Sequence, residues 1–327
     1  MVDGLRDSTV VITGGTGFLG SWIVDTLRML NRVKATNTTI HITSRSIGAA
    51  QKNYPEWAKD SDIHLHEMDL STSPKWNIKH ADYIIHGATD VTKPASTEIR
   101  LALDITAGTK SIIELIAMCK PKKILYMSSG AVNSPEPGEI LIKENAQLFL
   151  STSDQSGYSS GKQISESLLN LAAQEYGHTS VITRGFSFLG PRMPLQKFAI
   201  GNFILNASKG HPPEIKSNGL AIRSFLYSAD AAAWYLTMLI KGFGTYNVGS
   251  NDSKSLMQHA TMVSQIAGTD SPRINPIHAM INGNHYAPII HRAFTELGLC
   301  VFTEIGDAIQ RTLEWVCTKR LQQKIMQ

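Results

Sequence analysis

A β-rich run that passes directly into a glycine-rich turn and then into a helical stretch lies at the start of the chain, in "STVVITGGTGFLGSWIVDTLRML". Gly14 can make the tight turn, Gly17 lets a pyrophosphate approach the backbone, and Gly20 lets the helix pack on the strand. The helix N-terminus adds free N–H groups and a partial positive charge for the phosphate. This combination predicts a dinucleotide-binding βα unit.

Strands and helices alternate through the first half of the chain. Further β-rich runs are "TTIHITSR", "DIHLHEMDL", "ADYIIHGAT", "KKILYMSSG" and "TSVITRGFSFLG", and helical stretches are "TEIRLALDITAGTKSIIELIAMCK" and "SSGKQISESLLNLAAQEYG". Such alternation forms right-handed crossovers, which give a parallel sheet with helices on both faces. The predicted fold class is therefore α/β, a Rossmann-type doubly wound parallel sheet.

The sequence changes character after Gly190, where prolines and glycines punctuate "GPRMPLQK" and "SKGHPPEIKSNG". We predict a Rossmann domain at residues 1–187. Residues 223–250 rejoin it, because their run "GTYNVGS" indicates a strand that returns to the main sheet. Residues 188–222 and 251–327 are predicted to form a smaller, mixed α/β substrate-binding lobe.

Composition narrows the partners and the location. The chain has 327 residues and a formal net charge of +4, which is too weak over this length to indicate nucleic acid or a membrane surface. The longest apolar run, near "AAAWYLTMLI", is about half of a membrane span, and the N-terminus lacks a signal-peptide pattern. The three cysteines form neither a disulfide framework nor a metal pattern. We therefore expect a cytoplasmic protein without a metal site.

The end of the second predicted strand bears on the choice of dinucleotide. An NAD site usually carries a carboxylate there, which grips the adenosine ribose. The run "TTIHITSRS" ends instead in Thr43, Ser44 and Arg45. An arginine can pair with a 2′-phosphate, so the sequence favours NADP over NAD. NAD stays open, because Arg45 can also be a solvated loop charge.

Short motifs follow one another in a recognisable order over almost the whole chain. They are "TGGTGFLG", "MDL", "IIHGATDV", "YMSSGAV", "YSSGK", "RGFSFLGPR", "NGLAIRSFLYSADAA", "YNVGS" and "ELGLCVFTEIGDAIQRTLEW". In this order they resemble the extended short-chain dehydrogenase/reductase family, in its NAD(P)-dependent nucleotide-sugar epimerase/dehydratase branch. The resemblance implies an enzyme that moves hydride between a sugar carbon and a nicotinamide.

Three residues match the proton-transfer site of that family. They are Ser129, which lies three residues before a valine, and Tyr158 and Lys162 of "GYSSGK". Tyrosine is a poor base at neutral pH because its reference pKa is about 10, and a nearby lysine ammonium lowers that pKa. Positions i and i+4 share a helix face, so Tyr158 and Lys162 can act on one site. Ser129 would hydrogen-bond the same sugar hydroxyl.

The resemblance also implies binding residues. For the cofactor they are Gly14, Gly17, Phe18, Leu19, Gly20, Ser44, Arg45, Asp69, Leu70, Gly87, Ala88, Thr89, Ser128, Tyr158 and Lys162. For a nucleotide-diphosphate sugar they are Ser187, Arg192, Asn202 and Arg223. Arg223 has the closer match to the arginine that grips the diphosphate. Ser187 stands where asparagine is usual, and Asn202 can equally be a helix-capping or surface amide.

Two positions after the catalytic serine distinguish between the reactions of the family. Members that dehydrate sugars at C4 and C6 carry an acidic pair there, to protonate the leaving hydroxyl and to take a proton at C5. Gly130 and Ala131 can do neither. In addition, no cysteine lies in a segment that matches the pocket of C3/C5 epimerases. A 4,6-dehydratase and a C3/C5 epimerase are therefore both disfavoured.

Among the reactions that remain, the resemblance favours a nucleotide-sugar epimerase that acts at a sugar carbon such as C4 through a 4-keto intermediate, and it implies a place in surface polysaccharide or deoxysugar biosynthesis. An NADPH-dependent reductase of NDP-4-keto-sugars is the alternative. A non-catalytic dinucleotide-binding protein is disfavoured, because Tyr158 and Lys162 are both present. Gly157 departs from the family, in which proline is common before the tyrosine.

The helix predicted at residues 159–176 has an apolar side that includes Ile164, Leu168, Leu171 and Ala172. With the helix that ends near Cys119, it is expected from the resemblance to form a four-helix interface of a homodimer. Packing against the sheet explains part of this apolar side equally well.

Overall fold

The computed structural model describes residues 2–72, 74–89, 97–133, 141–146, 148, 156–275 and 285–325. The strands are β1 (Thr9–Thr13), β2 (Thr39–Ser44), β3 (Ile63–Glu67), β4 (Tyr83–His86), β5 (Lys123–Ser129), β6 (Thr179–Gly185), β7 (Phe188–Leu189), β8 (Glu214–Ile215), β9 (Ile222–Ser224), β10 (Leu226–Tyr227), β11 (Gly244–Val248), β12 (Ser253–Ser255), β13 (Arg273–Ile274) and β14 (His285–Tyr286).

The helices are α1 (Val2–Leu5), α2 (Phe18–Lys34), α3 (Ile47–Asn53), α4 (Glu98–Cys119), α5 (Gly157–Tyr176), α6 (Ala199–Ala207), α7 (Ser228–Lys241), α8 (Leu256–Ala267), α9 (His291–Leu297) and α10 (Ile305–Ile325). One-turn 3-10 segments occur at Trp57–Lys59, Leu70–Thr72, Gly130–Val132 and Leu195–Lys197. Across the described ranges, no helix is both long enough and apolar enough to cross a membrane.

The main sheet of the described chain has seven strands in the order β11-β6-β5-β4-β1-β2-β3, and each neighbouring pair is parallel. The predicted Rossmann-type α/β fold is confirmed. The direction of strand succession reverses between β1 and β4. In such sheets the ligand crevice lies beyond the carboxyl ends of the strands at this reversal.

Alternating strand residues bury the two faces of the sheet under different helices. Val10 and Ile12 pack in the core that contains α2 and α7, whereas Val11 packs in the core that contains α4 and α5. Each of these side chains is fully buried, which contributes roughly 1.5–3 kcal/mol to stability per side chain. Strand β1 therefore contains continuous apolar residues and no alternating polar ones, because helices cover both faces of the main sheet.

A second apolar core lies in the C-terminal half and joins α6, α8 and α10. The short strands of this region form a sheet in the order β12-β9-β14 and a pair, β13-β8. β11 belongs instead to the main sheet, beside β6. The predicted boundary at residue 223 falls within β9, which pairs with β12 and β14. The division into two domains stays a prediction.

Candidate active site

The carboxyl edge of the main sheet brings together most of the segments predicted to hold the cofactor. β1 leads into residues 14–17, β2 into residues 44–45, β3 into residues 69–70 and β4 into residues 87–89. Because these four strands are adjacent and parallel, the segments line one edge of the sheet.

The glycine turn packs so closely that it excludes side chains. Gly14 has φ +71, and a Cβ built on it would lie 2.8 Å from the backbone N of Ala88. A Cβ at Gly20 would lie 2.1 Å from the carbonyl oxygen of Gly14. Gly17 is exposed at the N-cap of α2. A helix N-terminus behind a turn without Cβ atoms fits the phosphates of a dinucleotide.

Other cofactor candidates take different positions along this edge. Arg45 and Asp69 are exposed, and the Asp69 carboxylate accepts hydrogen bonds from the backbone N–H and the hydroxyl of Ser71 at 3.0 and 2.7 Å. The Ser44 hydroxyl donates to the Ser46 carbonyl, and the Thr89 hydroxyl donates to the Ala88 carbonyl.

Three candidates place their side chains in apolar packing. Leu70 is buried in the core under α4, Leu19 packs against the core under α2, and Phe18 packs against the C-terminal core. Since α2 begins at Phe18, what these first helical residues can offer a phosphate is their backbone N–H groups.

Tyr158 and Lys162 lie on the first turns of α5. The Ser156 hydroxyl caps this helix by accepting from the Ser159 N–H. Lys162 is buried, and its Nζ donates to the Met127 carbonyl at 2.8 Å. The same Nζ lies 5.9 Å from the Tyr158 ring centroid and 4.8 Å from that of Tyr126. Burial lowers the pKa of Lys162 to about 7, and Glu166 opposes this shift.

The pKa of Tyr158 differs from the sequence-based expectation. Burial raises the pKa of its hydroxyl, and a hydrogen bond with Ser129 works in the opposite direction. We expected the Lys162 ammonium to lower this pKa. In the structure the Lys162 ammonium is turned to the Met127 carbonyl, and burial disfavours its charged form.

Ser129 is the last residue of β5, and its Oγ accepts a hydrogen bond from the Ala131 N–H at 3.1 Å. The next residue is closely packed, because a Cβ at Gly130 would lie 2.5 Å from the Phe186 ring. An acidic side chain at position 130 would displace this ring. The aromatic ring therefore occupies the space that the first acid of a dehydratase pair would need.

A buried ion pair, which the sequence analysis missed, connects the strands and the helix that carry the catalytic residues. Arg184 on β6 forms a bidentate pair with Glu166 on α5, at 3.1 and 2.8 Å. Glu166 also accepts a hydrogen bond of 2.5 Å from Ser128. The Ser128 side chain is thus engaged with Glu166, and its predicted contact with the cofactor stays a prediction. The spacing of Glu166, four residues after Lys162 on the same helix, was the available signal.

Arg223 lies on β9, and its guanidinium carbon is 5.8 Å from the ring centroid of Tyr286 on the neighbouring strand β14. The Tyr286 hydroxyl in turn lies 3.2 Å from the Ser129 Oγ. Tyr286 therefore contacts both Arg223 and the catalytic serine, Ser129. The sequence analysis did not single out Tyr286, because a two-residue strand has no periodicity to detect.

The remaining substrate candidates differ in their positions. The Asn202 amide donates to the carbonyls of Gln196 and Phe198 near the start of α6, and its contact with a substrate stays a prediction. Ser187 is half-buried between β6 and β7. Arg192 pairs with Asp25 of α2 at 2.6 Å and lies over the rings of Trp22 and Tyr54.

Arg192 thus pairs with the Asp25 carboxylate, and contacts of Arg192 or Arg223 with a substrate diphosphate stay predictions.

Gly157 permits a close crossing of α4 and α5 directly before Tyr158. A Cβ at this position would lie 1.8 Å from the Glu98 carbonyl oxygen. The Gly157 N–H also donates to the Glu98 carboxylate at 2.5 Å. A proline has no N–H to donate, so this sequence uses a hydrogen bond and close backbone contact where the family commonly has proline.

Replacing Gly157 with alanine is expected to separate the start of α5 from α4 and to shift Tyr158, lowering the free energy of unfolding by about 1–3 kcal/mol. Gly306→Ala, at a helix start where an added Cβ meets nothing within 4 Å, is the matched control. Urea unfolding of both variants measures the difference. Equal stability of the two would contradict the close crossing.

Most of the chain matches the model of one protein family. Residues 10–249 match the model of the NAD dependent epimerase/dehydratase family. The chain belongs to this family. It is therefore an enzyme of the nucleotide-sugar epimerase/dehydratase class, as predicted.

Relatives in the epimerase/dehydratase family carry out different reactions. The chain is 25% identical over 317 residues to a putative UDP-glucose 4-epimerase of Methanocaldococcus jannaschii, covering 94% of this chain and 98% of the relative. It is 22% identical over 314 residues to UDP-glucuronic acid decarboxylase 1 of Xenopus tropicalis, covering 94% and 71%. The family alone therefore does not specify the reaction.

A solved structure confirms the fold. UDP-glucose 4-epimerase of Thermotoga maritima, determined with UDP-glucose, superimposes with a TM-score of 0.80 at 20% identity, covering 96% of this chain and 99% of that one.

Proposed function

We propose that this chain is a nucleotide-sugar 4-epimerase, which oxidises the sugar at C4 to a 4-keto intermediate and reduces it on the opposite face. The observation that carries the proposal is the pocket after Ser129, where Gly130 and Ala131 replace an acidic pair and the Phe186 ring fills the space. An epimerase needs no acid there, whereas a 4,6-dehydratase does. The relative of M. jannaschii supports the same reaction.

Tyr158 is the residue that takes the proton of the C4 hydroxyl and returns it in the second half of the reaction. Ser129 holds the same oxygen within reach of Tyr158, as its position at the end of β5 supports. Lys162 binds the nicotinamide ribose. When bound, the dinucleotide supplies the acceptor and donor of hydride. The buried pair of Glu166 and Arg184 fixes the strand end and the helix that carry these groups.

The proposed substrate is a nucleotide-diphosphate sugar, with Arg223 at the diphosphate and Ser187 beside the sugar. Burial lowers the pKa of Arg223, yet an arginine stays charged at any working pH.

Incubation with UDP- and dTDP-hexoses, without added reductant, tests the proposal through the appearance of the C4 epimer. Formation of product only when NADPH is supplied in stoichiometric amounts would support a 4-ketoreductase instead.

The presence of Arg45 after β2 favours NADP as the cofactor. It therefore also favours the reductase alternative, which uses NADPH. It is exposed directly after β2, where the described strand end has no carboxylate of its own. If Arg45 binds a 2′-phosphate, Arg45→Gln should weaken NADP⁺ binding about tenfold or more, the loss of one charge-assisted hydrogen bond. Binding of NAD⁺ should be unaffected.

Calorimetric titration of both dinucleotides measures this selectivity. Lys52→Gln, an equal loss of charge on the exposed side of α3, is the control. An equal change for NAD⁺ and NADP⁺ in Arg45→Gln would contradict a 2′-phosphate contact and leave NAD as the cofactor.

We also propose a homodimer in which α4 and α5 of two copies form a four-helix bundle. Large apolar side chains remain exposed on both helices: Ile99, Leu103 and Met118 on α4, and Ile164 and Leu171 on α5. Sedimentation should give about twice the 35.8 kDa chain mass. Leu103→Glu should shift it to one chain mass, whereas Leu220→Glu, equally exposed in the C-terminal half, should not. A monomeric wild type would contradict the proposal.

A further inference from the structure

Tyr286 reaches from the C-terminal sheet into the catalytic site. Its hydroxyl lies 3.2 Å from the Ser129 Oγ and 3.3 Å from the Gly185 carbonyl oxygen. Its ring packs against Phe186 with centroids 4.8 Å apart, and Arg223 lies over the ring. One side chain thus contacts the catalytic serine, the end of β6 and the proposed diphosphate ligand.

The hydrogen bonds around Ser129 determine where its proton points. A serine hydroxyl has one proton to donate and two lone pairs that accept. The Ala131 N–H already donates to one lone pair, at 3.1 Å. If the Tyr286 hydroxyl donates to the second, both acceptor positions are filled. The proton of Ser129 is then directed to another oxygen, and Tyr158 is the residue whose pKa Ser129 lowers.

Tyr286 is suited to the donor role because it keeps its proton. Burial raises the pKa of its hydroxyl well above the ordinary range, although Ser129 and Arg223 act in the opposite direction. The Gly185 carbonyl can only accept, so it shares the same Tyr286 proton in a bifurcated arrangement. Both contacts are therefore compatible with one donor.

We propose that Tyr286 is a positioning residue that donates a hydrogen bond to Ser129 and so directs the serine proton to Tyr158 and the sugar oxygen. A serine hydroxyl that accepts two hydrogen bonds, here from the Ala131 N–H and the Tyr286 hydroxyl, is itself a stronger donor, because hydrogen bonds in a chain polarise one another. This arrangement stabilises the phenolate form of Tyr158. The role in turnover rests on the proposed function, whereas the effect on the ionisation of Tyr158 does not.

The charges around Tyr158 are otherwise unchanged by the loss of the Tyr286 hydroxyl. In the described residues the titratable groups that act on Tyr158 or respond to it are Lys162 on α5, Tyr126 on β5, Tyr235 on α7 and Tyr286 on β14. Glu166 acts on Lys162, and Arg223 on Tyr286. Tyr286→Phe keeps the aromatic ring against Phe186 and under Arg223 and removes only the donor.

A ¹³Cζ-tyrosine NMR titration tests the proposal without any substrate. The Tyr158 resonance is assigned by its absence in Tyr158→Phe. In Tyr286→Phe its titration midpoint should move up by about 0.5–1 pH unit, the loss of one modest hydrogen bond to the phenolate. Tyr176→Phe, at the far end of α5, should leave the midpoint unchanged. Either of two results in Tyr286→Phe would overturn the proposal. An unmoved midpoint would mean that the Tyr286 hydroxyl does not affect the ionisation of Tyr158, and a lowered midpoint would mean that Ser129 gives its proton to Tyr286 in the wild type.

Turnover provides the second readout. On a sugar that the wild type epimerises, Tyr286→Phe should lower kcat about tenfold with KM within about twofold, and the acidic limb of its kcat profile should shift to higher pH. Equal kcat in the variant and the wild type would overturn the positioning role. A wild type that epimerises no sugar would instead contradict the proposed function, while the NMR result would still decide the role of Tyr286.

Discussion

Tyr158→Phe is expected to lower kcat by about 10²–10⁴-fold, the range over which a positioned acid/base residue contributes. The substitution keeps the ring on the first turn of α5 and removes only the hydroxyl. Dinucleotide affinity should change by less than about fivefold, because at most one neutral hydrogen bond is lost there. Product analysis by NMR measures the first effect, and calorimetric titration of the dinucleotide measures the second.

The matched control is Tyr176→Phe, which removes the same hydroxyl from the last turn of α5. This control should retain the turnover of the wild type. If Tyr158→Phe turned over at the full rate as well, another group would have to carry the proton. In the described part of the site Tyr286 would be the next hydroxyl to consider, because it already contacts Ser129.

Gly20→Ala is expected to abolish measurable dinucleotide binding and to lower the free energy of unfolding by about 1–3 kcal/mol or more. Its Cβ would lie 2.1 Å from the Gly14 carbonyl oxygen and 2.8 Å from the Gly15 Cα. These are backbone atoms, so the conflict can be relieved only by moving the turn away from α2. That movement would displace the N–H groups that the phosphates need.

The control for this prediction is Gly48→Ala, in α3. An added Cβ at Gly48 meets nothing within 4 Å, and alanine favours a helix by roughly 1 kcal/mol over glycine. Gly48→Ala should therefore bind the dinucleotide like the wild type and unfold at slightly higher urea concentration. Wild-type affinity in Gly20→Ala would refute the proposed phosphate site.

The main sheet could be predicted because its strands are continuous apolar runs between glycine and helix signals. "TVVIT" is buried on both faces, and its helix α2 starts at the predicted glycine turn. The positions of Ser129, Tyr158 and Lys162 could be predicted for the same reason, since each lies at the end of a strand or the start of a helix that the pattern indicates.

The parts that could not be predicted depend on contacts between distant segments. Tyr286 is on a two-residue strand whose partner lies more than sixty residues away. The ion pair of Glu166 and Arg184 joins a helix to a buried strand. Arg184 begins the motif "RGFSFLGPR", but Glu166 lies in none of the motifs, so the sequence did not indicate that the two residues pair. The same limit explains Arg192, because nothing in "GPRMPLQK" indicates that its partner is Asp25 on α2.

Burial also changed the chemistry that the motif suggested. The spacing of Tyr158 and Lys162 predicted a lowered tyrosine pKa. The structure buries both groups, which raises the pKa of the tyrosine and lowers that of the lysine to about 7. The sequence shows which groups are near each other, whereas the balance between charge and desolvation depends on how deeply they are packed.

The most direct test of the proposed epimerase is an isotope experiment in D₂O with unlabelled UDP- and dTDP-hexoses, which carry protium at C4. A 4-epimerase that removes and returns the same hydride should yield the C4 epimer with its C4 protium retained and no solvent deuterium on carbon. It should also need no added reductant. Solvent deuterium at C5, as loss and return of a C5 proton would give, or product that forms only with added NADPH, would contradict a 4-epimerase.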